Sequence, residues 1–405
     1  MLNDNLTVYG KTIPNRVVFN PMEGCDGTFA GGIGELTKRR YLRFAESGAG
    51  IIWFEATAVS SECRANPRQL FLTPETADGF KKLLDEIRER ALKTGGPVPL
   101  LVLQSTNSGR WSKPDGAPRP IVAYRNSLWE KGREGLEYIT ASDDYCKALS
   151  DKYEKAARLA SDAGFDGIDV KCSHGYLLNE FLSAYDRPGI YGGCFENRTR
   201  LFFECVYAAL ANAGKDTFVT TRLNACDCFP HPFGFGTDKN GNPDLRETKQ
   251  IISLLAGKGI GLINLTLGNP YLIPHINSPC RNAPEPEETG LRRIRDITGE
   301  LQKAFPEIPF VIPGLSCLAE KSVDYAETAL KEGVCSLAGW GRMTLCYPDF
   351  YKDWLRSGKP DRSKCCLACG KCTELMRAGT VSGCPARDKD VYLPLYRKEV
   401  MKCTQ

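Results

Sequence analysis

Short apolar, β-branched runs recur along the chain, separated by longer stretches in which apolar positions return at helical spacing. Eight such runs stand out, at residues 17–22, 51–59, 99–104, 167–171, 218–223, 262–268, 310–314 and 336–342. Near-continuous apolar character is what strands covered on both faces look like. Amphipathic segments at 76–94, 142–163, 197–213, 245–258, 291–304 and 319–332 lie between them, several ending in Gly, a helix stop. Strand and helix therefore alternate, which predicts an α/β fold, and eight alternations fit a (β/α)8 TIM barrel. The extra length falls where such barrels carry their sites. The stretches 105–141, 226–244 and 269–289, after the third, fifth and sixth strands, are rich in Gly, Pro and aromatics. An open doubly wound sheet has the same alternation, but no G-x-G-x-x-G follows the first strand. The alternation stops near Lys352, so the chain reads as a barrel at 1–355 and a short C-terminal segment at 356–405.

Composition narrows the function classes. With 42 % hydrophobic and 25 % charged residues among 405, the chain can bury a sizeable core, which excludes a disordered or collagen-like protein. A net charge of +4, from 53 basic and 49 acidic residues spread throughout, is not the footprint of a nucleic-acid binder. The N-terminus Met1-Leu2-Asn3-Asp4-Asn5 lacks an export signal, and no apolar stretch is long enough to span a membrane. A cytoplasmic protein with reduced thiols is expected.

Cysteine changes the picture. Of eighteen, five fall within twenty residues: Cys365, Cys366, Cys369, Cys372 and Cys384. Cys366, Cys369 and Cys372 recur every third position, and Cys384 follows after eleven intervening residues with Pro385 behind it. A triple run closed by a distant Cys-Pro is the pattern of [4Fe-4S] ligands. A four-cysteine zinc site uses the same ligands but usually pairs two C-x2-C knuckles, and unligated thiols are the third alternative. Cys365 is a spare or an alternative first ligand.

The run from Gly164 to Ser183, containing Gly167-Ile-Asp-Val-Lys171-Cys-Ser-His174-Gly-Tyr176, resembles the Old Yellow Enzyme family of flavin-dependent ene-reductases. So do Tyr191-Gly-Gly-Cys-Phe-Glu196-Asn197-Arg198, Asn15-Arg16 with Pro21-Met22, Gln104 with Gly109-Arg110, Arg222, and Gly339-Trp-Gly341-Arg342. The C-terminal cysteines point to the branch of 2,4-dienoyl-CoA reductase, 2-enoate reductase and trimethylamine dehydrogenase. This resemblance implies FMN beside a [4Fe-4S] cluster held by Cys366, Cys369, Cys372 and Cys384. Gln104 and Arg222 would meet the flavin's pyrimidine edge, with Pro21, Met22 and Glu23 beside the ring. Gly314, Ser316, Gly339, Gly341 and Arg342 would cradle its phosphate, where small residues let backbone N–H groups approach an anion.

Catalysis in the family needs two donors on the substrate carbonyl and a proton donor for the α-carbon. On the resemblance the donors are Lys171 and His174, and the acid is Tyr176. Lys171 departs from the usual His, and its charge suits an anionic or strongly polarised enolate. Glu23 stands where many relatives carry a Cys or Thr, and Cys25 is a weaker candidate for that role. His231 and His275 read as lid residues, while Asp186 and Arg187 are expected near the mouth.

Relatives with this cluster usually continue into FAD- and nicotinamide-binding domains, whereas this chain stops at Gln405. The expectation is therefore that a ferredoxin, a flavodoxin or a separate reductase subunit delivers electrons through the cluster, or that NAD(P)H reduces FMN directly. Assembly into a homo-oligomer is compatible with the sequence. The implied activity is anaerobic reduction of the C=C bond of an α,β-unsaturated carbonyl compound. The aromatic loops Phe229-Pro-His-Pro-Phe-Gly-Phe235 and Pro270-Tyr-Leu-Ile-Pro274 suggest a bulky apolar enone such as a steroid, bile-acid intermediate or phenolic. The alternatives are an amine dehydrogenase or demethylase of the trimethylamine dehydrogenase type, and a non-catalytic flavin/Fe–S electron-transfer subunit.

Overall fold

The computed structural model describes residues 1–280 and 283–401; residues 281, 282 and 402–405, parts of the expected loop and C-terminal segment, lie outside it. Eight parallel strands close into a barrel: β1 (Val17–Phe19), β2 (Ile51–Ala58), β3 (Leu100–Thr106), β4 (Gly167–Val170), β5 (Phe218–Asn224), β6 (Ile263–Thr266), β7 (Phe310–Ile312) and β8 (Leu337–Trp340). Each pairs with its sequence neighbours, and β8 closes on β1 through Ala338 opposite Val17. All eight expected strands are present; six are shorter than the apolar runs, which continue into turns, while β3 and β5 run one or two residues further than expected.

A helix follows every strand: α1 (Glu35–Ala45), α2 (Ala77–Lys93), α3 (Asp143–Ala163), α4 (Phe195–Asn212), α5 (Arg246–Ala256), α6 (Glu287–Ala304), α7 (Ser322–Lys331) and α8 (Phe350–Ser357). α3 shows why these segments are helical. Ser142 caps it by accepting from the Tyr145 N–H, Asp143 and Asp144 favour its positive end, and Gly164 ends it in a left-handed conformation (φ 94°). One face, Cys146, Leu149, Tyr153, Ala156, Ala157 and Ala160, is buried against the barrel at helical spacing.

Inside the barrel the lower layer is apolar: Val18, Ile51, Trp53, Val102, Phe218, Leu262, Val311 and Leu337. A hairpin of Leu6–Val8 and Lys11–Ile13 plugs this end, with Tyr9 stacked on Phe218 at 4.7 Å and its hydroxyl donating to the Val219 carbonyl. The next layer up is polar. Buried Asp169 accepts from Trp53 Nε1 (2.9 Å), Gln104 Nε2 (2.7 Å) and the Arg222 N–H (2.6 Å), and burial pushes its carboxyl up to about 6. A carboxylate this deep is tolerable because three donors replace its water.

The C-terminal segment adds α9 (Lys371–Arg377) and α10 (Tyr392–Glu399), which share a small core of Leu375, Val381, Tyr392 and Tyr396. It folds back over the barrel's C-terminal face. The Ser382 N–H donates to the Gly24 carbonyl (2.6 Å), Arg39 of α1 pairs with Asp388 (2.8 Å), and the Cys366 N–H meets Met343 Sδ (3.4 Å). Among the described residues no helix is long and apolar enough to cross a membrane.

Candidate active site

The long turns at the C-terminal ends of the strands enclose a cavity over the barrel mouth. Of the residues expected at the site, Pro21, Met22, Glu23, Gln104, Lys171, His174, Tyr176, Arg222, Gly314, Ser316, Gly341 and Arg342 all line it. Gly339 does not: it lies within β8, where a Cβ would come within 2.4 Å of Asn20 Nδ2 and 2.8 Å of Val311, so it makes room inside the barrel. The lining residues distant in sequence meet because each sits at or just beyond a strand end.

Two buried ion networks hold the turns that carry these side chains. Arg40 pairs with both Asp26 and Glu55, and Glu55 also accepts from the Gly24 N–H (2.7 Å), which fixes the turn bearing Glu23. Arg110 pairs with Glu180 and with Glu130 (3.0 Å), tying the turn after β3 to the short helix Leu177–Leu182 that follows Tyr176. Arg187, expected near the mouth, is instead buried on the Ala123 and Ala141 carbonyls (2.7 Å each) and Asp143, away from the cavity. Asp186 is exposed beside it. His231 meets Tyr185 edge-to-face at 4.3 Å, and His275 is half-buried; neither lines the cavity.

The chemical groups face one another across the mouth. Lys171 Nζ lies 3.5 Å from the centre of the Tyr176 ring. Burial pulls the Lys171 ammonium down to about 7, opposed by the charge of Glu23 and reinforced by Arg222. Burial also holds Glu23 above the usual carboxylate range, while Lys171 and the Tyr176 hydroxyl draw it down. His174 takes a left-handed backbone (φ 66°) and contacts Thr266 Oγ1 through Nε2 at 3.2 Å. Burial, then Arg222 and Lys171, push its proton affinity far below 6.5, so the imidazole is neutral. Burial keeps the Tyr176 phenol protonated. Cys25 is buried against Asn66 Nδ2 (3.2 Å) and does not line the cavity, whereas Glu23 does.

Sequence reasoning missed two contributors. Tyr271 shares a 2.9 Å hydrogen bond with Tyr176 and stacks on Trp111 at 4.1 Å, which makes it part of the acid's surroundings. The only signal for it was an aromatic in a long loop. The second is the C-terminal segment, whose Cys372, Thr373, Met376, Arg377 and Ser382 form one wall of the cavity. Of the two aromatic loops, only the one with Pro270, Tyr271 and Pro274 reaches the cavity; Phe229 and Phe235 are buried against other residues.

The lining fits a flavin mononucleotide. Among the described residues Arg222, which lines the cavity, forms no direct ion pair, and its buried Nε has no hydrogen-bond partner, so a guanidinium donor is left unsatisfied there. Desolvation costs that charge enough to lower it to about 10. An electron-rich ring edge would satisfy it. Gln104 was expected as a second donor, but its Nε2 is committed to Asp169, so it presents the carbonyl oxygen, the group that an imide N–H requires. At the opposite end the Ser316 hydroxyl accepts from the Met343 N–H (3.0 Å), joining the turns after β7 and β8. Gly314 there has φ 85°, and a Cβ on Gly341 would meet Met22 Sδ at 2.8 Å. Arg342, which has no ion pair among the described residues, lines the same end.

The thiols of Cys366, Cys372 and Cys384 lie within electrostatic reach of one another, Arg342 reaches Cys366 and Cys372, and Cys369 is exposed. Among the described residues no group of three or more His, Cys, Asp or Glu side chains surrounds a single ion position. Cys365, the spare or alternative ligand, is buried with its thiol on the Asp361 carbonyl (3.3 Å) and within electrostatic reach of Cys366. The neighbouring fifth thiol is Cys346, which interacts with Cys366 and Cys384.

Residues 4–354 match the model of the NADH:flavin oxidoreductase / NADH oxidase family. The chain belongs to this family. It is a flavin-dependent oxidoreductase of the Old Yellow Enzyme type, and the family's cofactor is FMN. An NADPH dehydrogenase of Geobacillus sp. (strain WCH70) is 34 % identical over 276 residues, covering 66 % of this chain and 73 % of that enzyme. The old yellow enzyme homologue from Zymomonas mobilis has a similar fold, with a TM-score of 0.67 at 22 % identity over 89 % of this chain and 94 % of that one. A 2-naphthoyl-CoA reductase in complex with 2-naphthoyl-CoA gives a TM-score of 0.76 at 19 % identity. That match covers 95 % of this chain, so the fold likeness runs on past the barrel, and this chain spans 56 % of that protein.

Proposed function

We propose that this family member reduces the C=C bond of an α,β-unsaturated carbonyl compound with NAD(P)H as reductant, and that its C-terminal thiols hold a [4Fe-4S] cluster. The observation that carries the reduction is the convergence of neutral His174, chargeable Lys171 and protonated Tyr176 on one cavity that Arg222 also lines. When bound, reduced FMN supplies the hydride for the substrate's β-carbon. Lys171 and His174 bind the carbonyl oxygen, and their donors draw electron density from the double bond. Tyr176 gives its Oη proton to the α-carbon, completing the addition of hydride and proton, and Tyr271 stands within hydrogen-bond distance to restore that proton.

The cysteine spacing supports the cluster, as does the proximity of Cys366 and Cys372 to Arg342, whose charge favours thiolates. Cys366, Cys369, Cys372 and Cys384 would hold the cluster, which would supply one-electron transfer. Cys372 lines the same cavity as Arg222, which suits electron exchange between cluster and flavin.

The test is turnover of a panel of enones and of N-methyl amines by anaerobically purified protein, with NADPH or a viologen as partner, alongside iron and acid-labile sulfide analysis. Saturation of enones at the expense of NADPH, with iron and sulfide in equal amounts, is expected. Turnover of amines alone would replace the reduction by a dehydrogenase reading, and zinc without sulfide would remove the cluster.

A further inference from the structure

Beside the mouth, three cations gather without a counter-charge. Lys113 and Arg133 belong to the long connection after β3, and Arg377 ends α9 of the C-terminal segment. Among the described residues none of the three has a carboxylate within ion-pairing distance. The nearby acids are committed elsewhere: Glu130 to Arg110 and Arg125, and Glu180 to Arg110. Desolvation lowers the proton affinity of both Lys113 and Arg133, and the charge of Arg377 lowers each further. Like charges assembled from two separate segments with no partner cost stability unless a ligand anion offsets them.

The cluster is continuous with the chemistry. The Arg133 guanidinium lies over the Trp111 ring at 4.5 Å, Trp111 stacks on Tyr271 at 4.1 Å, and Tyr271 hydrogen-bonds Tyr176. Trp111 Nε1 donates to the Gly175 carbonyl (3.0 Å), between His174 and Tyr176. Arg377 lines the main cavity, while Lys113, Arg133 and Trp111 line a second hollow of about 350 Å³, linked to the first through the Trp111–Tyr271 stack. A ligand reaching from one to the other would carry an apolar or aromatic portion over Tyr271 and Trp111 and end among the cations.

We propose that Lys113, Arg133 and Arg377 form a binding subsite for a phosphate-bearing tail on a molecule whose reactive end enters the cavity beside Tyr176. Two reactants have that chemistry, a nicotinamide dinucleotide and an acyl-CoA thioester of an unsaturated acid. Fixed guanidinium groups recognise phosphate oxygens through paired donors, and the ammonium adds a point charge. The role of the cavity rests on the proposed function; the anion subsite itself does not.

The first test needs no turnover. Calorimetric titration with inorganic pyrophosphate should show saturable binding to the whole protein, lost in a Lys113→Gln/Arg133→Gln/Arg377→Gln variant whose circular dichroism and melting match the parent. No binding to the parent, or equal binding to the variant, would overturn the subsite. The second test identifies the source. For the reductive step, the preference for NADPH over N-benzyl-1,4-dihydronicotinamide is compared in parent and variant. For the oxidative step, cinnamoyl-CoA is compared with neutral cinnamaldehyde. A fall of about tenfold or more in one of these kcat/KM ratios assigns the tail to that reactant, and unchanged ratios in both would overturn the subsite. Pyrophosphate binding without turnover of any enone would sink the proposed reaction while leaving the subsite standing.

Discussion

At Lys171 the cost of burial decides the chemistry. An ordinary lysine keeps its proton to well above neutrality, but desolvation disfavours the ammonium, and Lys171 loses its proton near pH 7. Because its proton affinity is lowered, the charge that polarises a carbonyl is present below that pH and lost above it. The rate of enone reduction should therefore fall as pH rises through about 7. Lys171→Arg should flatten that limb, and a parent profile level from pH 6 to 8 would show that the charge plays no part. Tyr176 and Tyr271 form a second unit. Tyr176→Phe should lower kcat by about 10²–10⁴-fold, the usual worth of a positioned general acid. Tyr271→Phe should lower it less and enlarge the solvent isotope effect, as expected of a group that resupplies the proton; identical losses in the two variants would contradict a relay. Neither Tyr271 nor the commitment of Gln104 Nε2 to Asp169 was legible in the sequence, since both depend on which side chains the closed barrel brings together.

Among the elements, the eight strands were legible because their apolar runs are short and almost unbroken. Six of the helices were legible because one face of each is apolar. α1 escaped notice: Glu35–Ala45 is rich in Lys and Arg, and its buried face includes Thr37 and Arg40, the latter paired inside the protein. The plug hairpin was missed because two three-residue strands carry almost no periodic signal. α9 and α10 are short as well, and their apolar face is completed only by packing on each other and on α1. That shared core gives an element-scale prediction. Leu375 is fully buried in it, so Leu375→Ala should destabilise the segment by about 2–5 kcal/mol. Hydrogen exchange should then show faster exchange in α9 than in the barrel helices, and an unchanged pattern would mean that the segment does not depend on this core.

At the scale of the whole molecule, the barrel provides the floor of the site and the C-terminal segment provides a wall. The segment is not an appendage: Ser382 is bonded to the turn carrying Glu23, and Cys372 and Arg377 face the same cavity as Arg222. The notion of a barrel with a separate tail, drawn from where the strand–helix alternation stops, understates this, because α8 runs across residue 355 and the tail packs back over the mouth. The alternation in the sequence carries connectivity, and which face the tail covers is a tertiary fact. The most direct measurement is a visible absorbance titration of the anaerobic holoprotein. Stoichiometric FMN should be present, its band should bleach on adding NADPH, and the band should return on adding one equivalent of an enone. Absence of flavin, or a bleached band that no enone restores, would contradict the account.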